Sequence, residues 1–480
     1  MSQPATRILG RTGREITTLG LGGQASIQWP GPGSDPVAII EKAHKLGINY
    51  MDTSNVYGPS QKHFGEAFRR LGISPAAAGY APESRKRLFV ATKTHIRTAR
   101  RPEGERFPTD FSEGMLDEWN VSTAVDDLRR SLSLMFGDGR GDYPEDAYID
   151  AVQIHNINTQ SEIDMIFEGL DNPSPERSWL GALPALLDFR EGTDRTGLNP
   201  KREKRIRHIG ITGHWSTAAL VYAIRKDAFR IIDTLLVTIN PADHLYMSHR
   251  HNAIATAAAA GMGVIGMKVF ADAAYYHKGA YFSGSPEDVY HKVGSDELPS
   301  RELIQYALSV EGISGIITGI GHVDDDPARC QLTANLDAAQ MEKPLDANQM
   351  EEIENMLAAT GKTSANAYFQ RKSEGLTPPS GVSAESDSSM PLMNRLAVRV
   401  SWDASYAGAH RVERYEILRD GEIVGSVPHR PRISLDKFHF DDRFRENPGT
   451  RMFSYAVRAV DSAGNTARSP AIEAGPSAAA

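Results

Sequence analysis

The stretch GINYMDTSNVYG at positions 47–58 opens as a short run with apolar residues on both faces. It closes on an acid, Asp52, and carries a phenol, Tyr57, five residues later. Two later stretches have the same form: RLFVATKTH at 87–95 ends its run on Lys93, and IDAVQIHN at 149–156 ends its run on His155. A short apolar run without polar alternation reads as a parallel strand buried on both faces. Working outward, five more such runs lie at 18–22, 206–212, 231–237, 263–268 and 313–318, giving eight strands. Amphipathic segments at 37–46, 121–135, 217–225, 250–260 and 299–310 separate them and read as helices. Strand–helix alternation on this scale implies either a doubly wound sheet or an eight-stranded barrel. No dinucleotide-type glycine fingerprint joins the first strand to the first helix, and the glycines at 20, 22 and 23 read as close backbone packing. The expected class is therefore α/β, a (β/α)8 TIM barrel.

In such a barrel the carboxyl ends of adjacent strands face one shared mouth. Asp52, Tyr57, Lys93 and His155 should then converge. Taken singly each has an ordinary explanation: a turn cap, a half-buried aromatic, a strand-end lysine, a core histidine. Together, at three successive strand ends, they form a set suited to proton transfer at a carbonyl. Hydride arriving at carbon leaves negative charge on oxygen, and a phenol can protonate it if its phenolate is stabilised. An ammonium beside the ring would provide that stabilisation, which assigns Lys93. Asp52 would pair the buried ammonium, and His155 would hydrogen-bond the carbonyl oxygen.

The rest of the composition narrows the function classes. The formal net charge is −8, with no basic cluster beyond the short run at 201–208, so nucleic acid is not expected as a partner. A single cysteine, Cys330, excludes a disulfide framework, a cysteine zinc site and an iron–sulfur cluster within one chain. The histidines at 208, 214, 244, 249 and 251 match no metal-ligand spacing, so no metal is expected. No signal-peptide pattern opens the chain and no run of 18 apolar residues occurs, so a soluble, cytoplasmic protein without membrane contact is expected. Long connections at 94–120, 156–175 and 270–298 follow strands at the mouth and are candidates to enclose a substrate.

The barrel with a helical extension at 346–359 is expected to occupy 1–372, and a Ser-, Pro- and Gly-rich linker 373–392. Over 393–475 the period switches to two, and Asp420-Gly421 supplies a hairpin turn. VSWDAS at 400–405, VERYEILRDG at 412–421 and FSYAVRAVDSAGN at 453–465 resemble a fibronectin type III module, which implies a small immunoglobulin-like sandwich. Such a module implies contact with protein or glycan, or a spacer, and the sandwich is expected over or beside the barrel.

From RILGRTG at position 7 through Asn335 the chain resembles the aldo-keto reductase family; DTSNVYG, ATKTH and QIHN match that family's tetrad segments. The resemblance implies NADPH, or less often NADH, as hydride carrier for an aldehyde, ketone or sugar, bound without a Rossmann domain. It places Thr212 in IGITGH, with Gly213 in place of the usual asparagine, and Asn240 in TINPADHLY, at the nicotinamide carboxamide. Met267, Lys268, Val269 and Phe270 in GMKVFADA take the strand end where the family often stacks a ring on nicotinamide. Gly319, Gly321, Gln331 and Asn335 fall where the pyrophosphate and adenosine part would lie. Gly23 and Gln24 become cofactor contacts and Trp29 a candidate for the substrate mouth. The acidic run Asp324-Asp325-Asp326 departs from the family pattern: it opposes a 2′-phosphate unless Arg329 answers it, which keeps NADH open. A competing reading is a non-catalytic nicotinamide sensor or regulatory subunit whose sandwich recruits a partner.

Overall fold

The computed structural model describes residues 3–111, 121–289, 293–387, 397–444 and 449–475. Parts of three expected segments, at 112–120, 290–292 and 388–396, lie outside the described residues.

Eight parallel strands close into a barrel in sequence order. They are β1 (Leu19–Gly22), β2 (Tyr50–Asp52), β3 (Phe89–Thr94), β4 (Ile149–Ile154), β5 (Ile206–Gly213), β6 (Ile232–Thr238), β7 (Gly263–Met267) and β8 (Ile313–Thr318). All eight fall on the apolar runs, because a strand covered by helices outside and by side chains inside has no solvent face. The outward residues and the helix layer share one large core, including Val90, Val152, Ile209 and Val264. Helix Ser60–Arg70 crosses helix Ala124–Phe136 so closely at Gly65 that a Cβ there would lie 2.1 Å from the Leu134 carbonyl oxygen.

The inward residues follow the pleat, in which every second side chain shares a face. Tyr50, Phe89, Ala91, Ala151, Leu236 and Ile265 fill the barrel interior, closed at its amino end by Leu9 and Ile16 of a hairpin. Two residues further along the same rows come Asp52, Lys93 and Gln153. The strands thus carry an apolar plug below and a polar layer on top.

Beyond the barrel lie two antiparallel sheets. One comprises β9 (Ser380–Asp387), β10 (Ala397–Asp403) and β13 (Phe438–Arg443); the other comprises β11 (Val412–Arg419), β12 (Glu422–Pro428), β14 (Phe453–Asp461), β15 (Thr466–Arg468) and β16 (Ile472–Ala474). Val398, Val400, Trp402, Tyr415, Ile417, Tyr455 and Val457 form a second core. Asp420 and Gly421 both have positive φ, as a tight hairpin turn requires. The expected linker is corrected here. Ser380–Asp387 within 373–392 is a strand paired with β10. Its SGVSAESD sequence looks like linker because an edge strand is held by the backbone ladder rather than by a strong apolar alternation.

These sheets pack beside the barrel. Asn252 of the helix layer donates to the Ala407 carbonyl and accepts its N–H, both at 2.9 Å. Arg225 donates to the Ser434 carbonyl at 2.8 Å. Among the described residues no helix is long and apolar enough to cross a membrane.

Candidate functional site

At the barrel mouth the top polar layer becomes a connected group. Asp52 and Lys93 are each 1% exposed. The Lys93 ammonium donates to Asp52 Oδ1 and, at 2.9 Å, to the Thr53 carbonyl. Gln153 donates to Asp52 Oδ2 at 3.2 Å. A carboxylate and an ammonium buried this deeply each need the other, since an unpaired buried charge costs several kcal/mol.

Tyr57, on the loop after β2, lays its ring over this pair. The Lys93 nitrogen is 4.7 Å from the ring centroid, and His155 meets the ring edge-on at 5.7 Å. His155 Nδ1 lies 3.2 Å from the Ser54 hydroxyl. On its other side His95 packs against it, with ring centroids 5.4 Å apart. The four strand-end residues are brought together.

Burial dominates their ionisation. It pushes the Asp52 carboxyl up against the pull of Lys93 and Gln153, and pushes Lys93 down against the pull of Asp52. His155 is held well below the ordinary imidazole value by burial, then by Lys93, His95 and His214. The Tyr57 phenol is held well above its ordinary value by burial, then by the carboxylates of Asp52 and Asp272. The expectation that Lys93 lowers the phenol is not met here, because burial, with the carboxylates of Asp52 and Asp272 adding to it, carries the phenol upward. The phenol keeps its proton.

A cavity of about 430 Å³ runs from Asp52 and Tyr57 across the mouth. Gly23 and Gln24 line it after β1, Met267, Lys268, Val269 and Phe270 after β7, and Gly319, Gly321 and Gln331 after β8. Trp29 is half-buried and outside its wall. Thr212 is buried and outside the cavity lining, its hydroxyl accepting the Asn156 N–H at 2.8 Å. Gly213 faces Leu220, which a Cβ would meet at 2.8 Å. Asn335 accepts from Gln331 at 2.6 Å and donates to Thr318 at 3.3 Å.

Asn240 differs from its expected part. It is fully buried, its amide donates to the Lys268 carbonyl at 3.2 Å and to Asn366 at 2.8 Å, and its oxygen accepts from Tyr275 and Ala242. Every hydrogen bond an amide side chain makes is thereby engaged within the protein, leaving none for a carboxamide.

Sequence reasoning missed two participants. Gln153 had a usable signal, since it lies in β4 two residues before His155, which follows the strand's end. Asp272 had none. Lys268 donates to it at 3.2 Å, Lys278 at 2.7 Å and the Ser283 hydroxyl at 2.8 Å. Burial opposes its charge, but the two ammonium groups and these hydrogen bonds hold the carboxyl below the usual range. At the far end Arg329 is paired with Asp324 at 3.2 Å and Asp326 at 3.3 Å. Among the described residues no group of three or more His, Cys, Asp or Glu side chains is placed to hold a metal.

The cavity wall after β7 is conformationally unusual. Lys268, Ala271, Asp272 and Ala273 all have left-handed backbones. Each costs on the order of 1–3 kcal/mol for a residue other than glycine and persists only where its surroundings dictate it.

Residues 18–358 match the model of the Aldo/keto reductase family. The chain is similar to L-galactose dehydrogenase of Arabidopsis thaliana, 24% identical over 372 residues that span 74% of this chain and 95% of that protein. Among solved structures it is similar to an aldo/keto reductase from Klebsiella pneumoniae in complex with NADP and acetate. That pair is 14% identical, covers 74% of this chain and 95% of the other, and has a TM-score of 0.45. Another structure of an aldo-keto reductase from Klebsiella pneumoniae, in complex with NADPH, is 14% identical over 74% of this chain and 96% of its own, with a TM-score of 0.44.

Proposed function

The chain belongs to the aldo/keto reductase family, and from that premise we propose that it interconverts a carbonyl and an alcohol with NADP(H) or NAD(H), Tyr57 being the proton donor. The observation that carries this reading is the stacking of the Tyr57 ring over the buried Lys93–Asp52 pair at the head of the cavity. A bound reduced nicotinamide would supply the hydride.

The chain's own residues do the rest. Tyr57 presents a protonated phenol to the carbonyl oxygen. As the proton leaves, the Lys93 ammonium balances the growing phenolate, and Asp52 and Gln153 fix the ammonium in place. His155, kept neutral, directs a ring nitrogen towards the same oxygen. The apolar wall of Met267, Val269 and Phe270 excludes water, which strengthens each of these interactions.

The wall fits a dinucleotide in its donor chemistry. Lys268 and the amino end of helix Gln331–Ala338 offer positive charge for a pyrophosphate, and Met267 offers an apolar face for the nicotinamide. The pairing of Arg329 with two aspartates weighs against a 2′-phosphate and keeps NAD(H) in contention. The likeness to L-galactose dehydrogenase keeps sugars among the substrates to be tried. We read the C-terminal sheets as a fibronectin type III-like sandwich offering a protein or glycan contact, in line with the shared core around Trp402 and Tyr415.

Tyr57→Phe tests the proposal. Carbonyl reduction should fall by roughly 10²–10⁴-fold, the worth of a general acid, while binding of NADPH and NADH stays nearly intact. Wild-type turnover in that variant would remove Tyr57 from its role. Tight dinucleotide binding with no turnover by the unaltered chain on any aldehyde, ketone or sugar would favour the sensor reading.

A further inference from the structure

The left-handed segment after β7 lines the cavity, yet in its own sequence, KVFADAAY, only Asp272 is of a type that readily takes such a backbone. Its own tight turns and the Lys268–Asp272 pair hold it in part, and further bonds come from elsewhere in the chain. Asn240 grips both ends of the segment: its amide donates to the Lys268 carbonyl, and its oxygen accepts the Tyr275 hydroxyl at 2.8 Å. Asn240 is in turn gripped by Asn366, which lies in the extension beyond the barrel. Asn366 donates to Gln370 at 2.8 Å, and Gln370 donates to Asp243 at 2.6 Å. The same extension reaches the segment a second time, where the Lys362 ammonium donates to the Tyr276 carbonyl.

The chain of hydrogen bonds does not stop there. Ser248 donates to the other oxygen of Asp243 at 2.5 Å, and Asn252 donates to the Ser248 carbonyl at 2.6 Å. Asn252 is the residue that pairs with Ala407 of the C-terminal sheets. Asn240, Asp243, Ser248, Asn366 and Gln370 are all 0% exposed. A buried polar network is rigid only when every member is satisfied, and loss of one member exposes the rest.

We propose that Asn366 and Gln370 are positioning residues for the ligand-binding wall: through Asn240 they hold residues 268–275 in their cavity-lining shape, and Asn252 anchors this brace to the C-terminal sheets. The appended sheets are thereby part of the machinery that shapes the cavity. The ligand side of this inference rests on the dinucleotide reading above; the brace itself does not.

The experiment uses the full-length chain without ligand, as wild type, Asn366→Ala and Asn252→Ala. Hydrogen–deuterium exchange should speed up about tenfold or more at residues 268–276 in Asn366→Ala, and to a lesser degree in Asn252→Ala, with β1 to β4 unchanged. Unchanged exchange at 268–276 in either variant, or an equal rise throughout the barrel, would overturn the proposal. Should Asn366→Ala fail to fold, Asn252→Ala, altered at the domain contact, gives the same readout. NADPH and NADH, titrated by nicotinamide fluorescence, should bind about tenfold more weakly to Asn366→Ala, with kcat at saturating dinucleotide little altered. If neither dinucleotide binds the wild-type chain while the local exchange still rises, the cofactor reading fails and the brace stands.

Discussion

The two ends of the cavity are built in opposite ways. At the Tyr57 end, Asp52, Lys93 and Gln153 ride on adjacent strands whose register is locked by the closed barrel, and the pleat alone aims them at one point. At the Lys268 end the wall is irregular, left-handed at four residues, and held by Asn240, which is itself held by Asn366, 126 positions further along. Regular structure delivers accuracy cheaply where the chemistry needs fixed distances. Irregular structure makes a shape that no strand or helix offers, and it must then be braced from outside.

The sharpest way to break this contrast is at the strand-built end. Lys93→Met should lower carbonyl turnover by roughly 10²–10⁴-fold. It should also cost about 3–5 kcal/mol of stability, because Asp52 is left buried without its partner. Adding Asp52→Asn should restore much of the stability, measured by urea unfolding, and none of the turnover. Full turnover in Lys93→Met would mean that the strand ends have no privileged part in the chemistry.

At the loop-built end a smaller and different effect is expected. Asp272→Asn removes the charge that gathers Lys268, Lys278 and Ser283, at a cost of about 1–3 kcal/mol. Dinucleotide affinity should fall while kcat at saturation is largely kept. A loss of kcat as deep as that of Lys93→Met would erase the distinction between the two ends.

The gentlest probe is pH. Burial holds His95 down to about 4 and His155 and His214 well below their ordinary value. The folded chain therefore binds fewer protons than the unfolded chain once pH drops below the usual imidazole range. Stability present above about pH 6.5 should be lost as pH falls towards 4, at about 1.4 kcal/mol per pH unit for each imidazole kept neutral. His95→Gln should flatten that slope in denaturant unfolding at pH 7, 6 and 5; an unchanged slope would place the acid sensitivity elsewhere.

Much of the strand-built end was legible in advance, and the reason is geometric. A run apolar on both faces marks a covered strand, and a polar residue at its end marks the mouth, so 47–58, 87–95 and 149–156 located their residues without coordinates. The loop-built end was not legible. Asp272 lies among residues with no periodic signal, and Asn240 was expected to face a ligand because the family resemblance implies it. Its true partner, Asn366, is 126 residues away. Ser380–Asp387 escaped for a related reason, its order coming from a backbone ladder with β10.

Residue spacing was enough to locate the eight covered strands, the polar residues that end them and the switch to a two-residue period beyond the barrel. These are consequences of local spacing, which a chain carries whatever its surroundings. The tertiary structure alone decided how the left-handed wall is held, which amide is already engaged and what the appended sheets touch. Those outcomes depend on hydrogen bonds between groups far apart in the chain, and pairings of that kind leave no trace in the local pattern of residues.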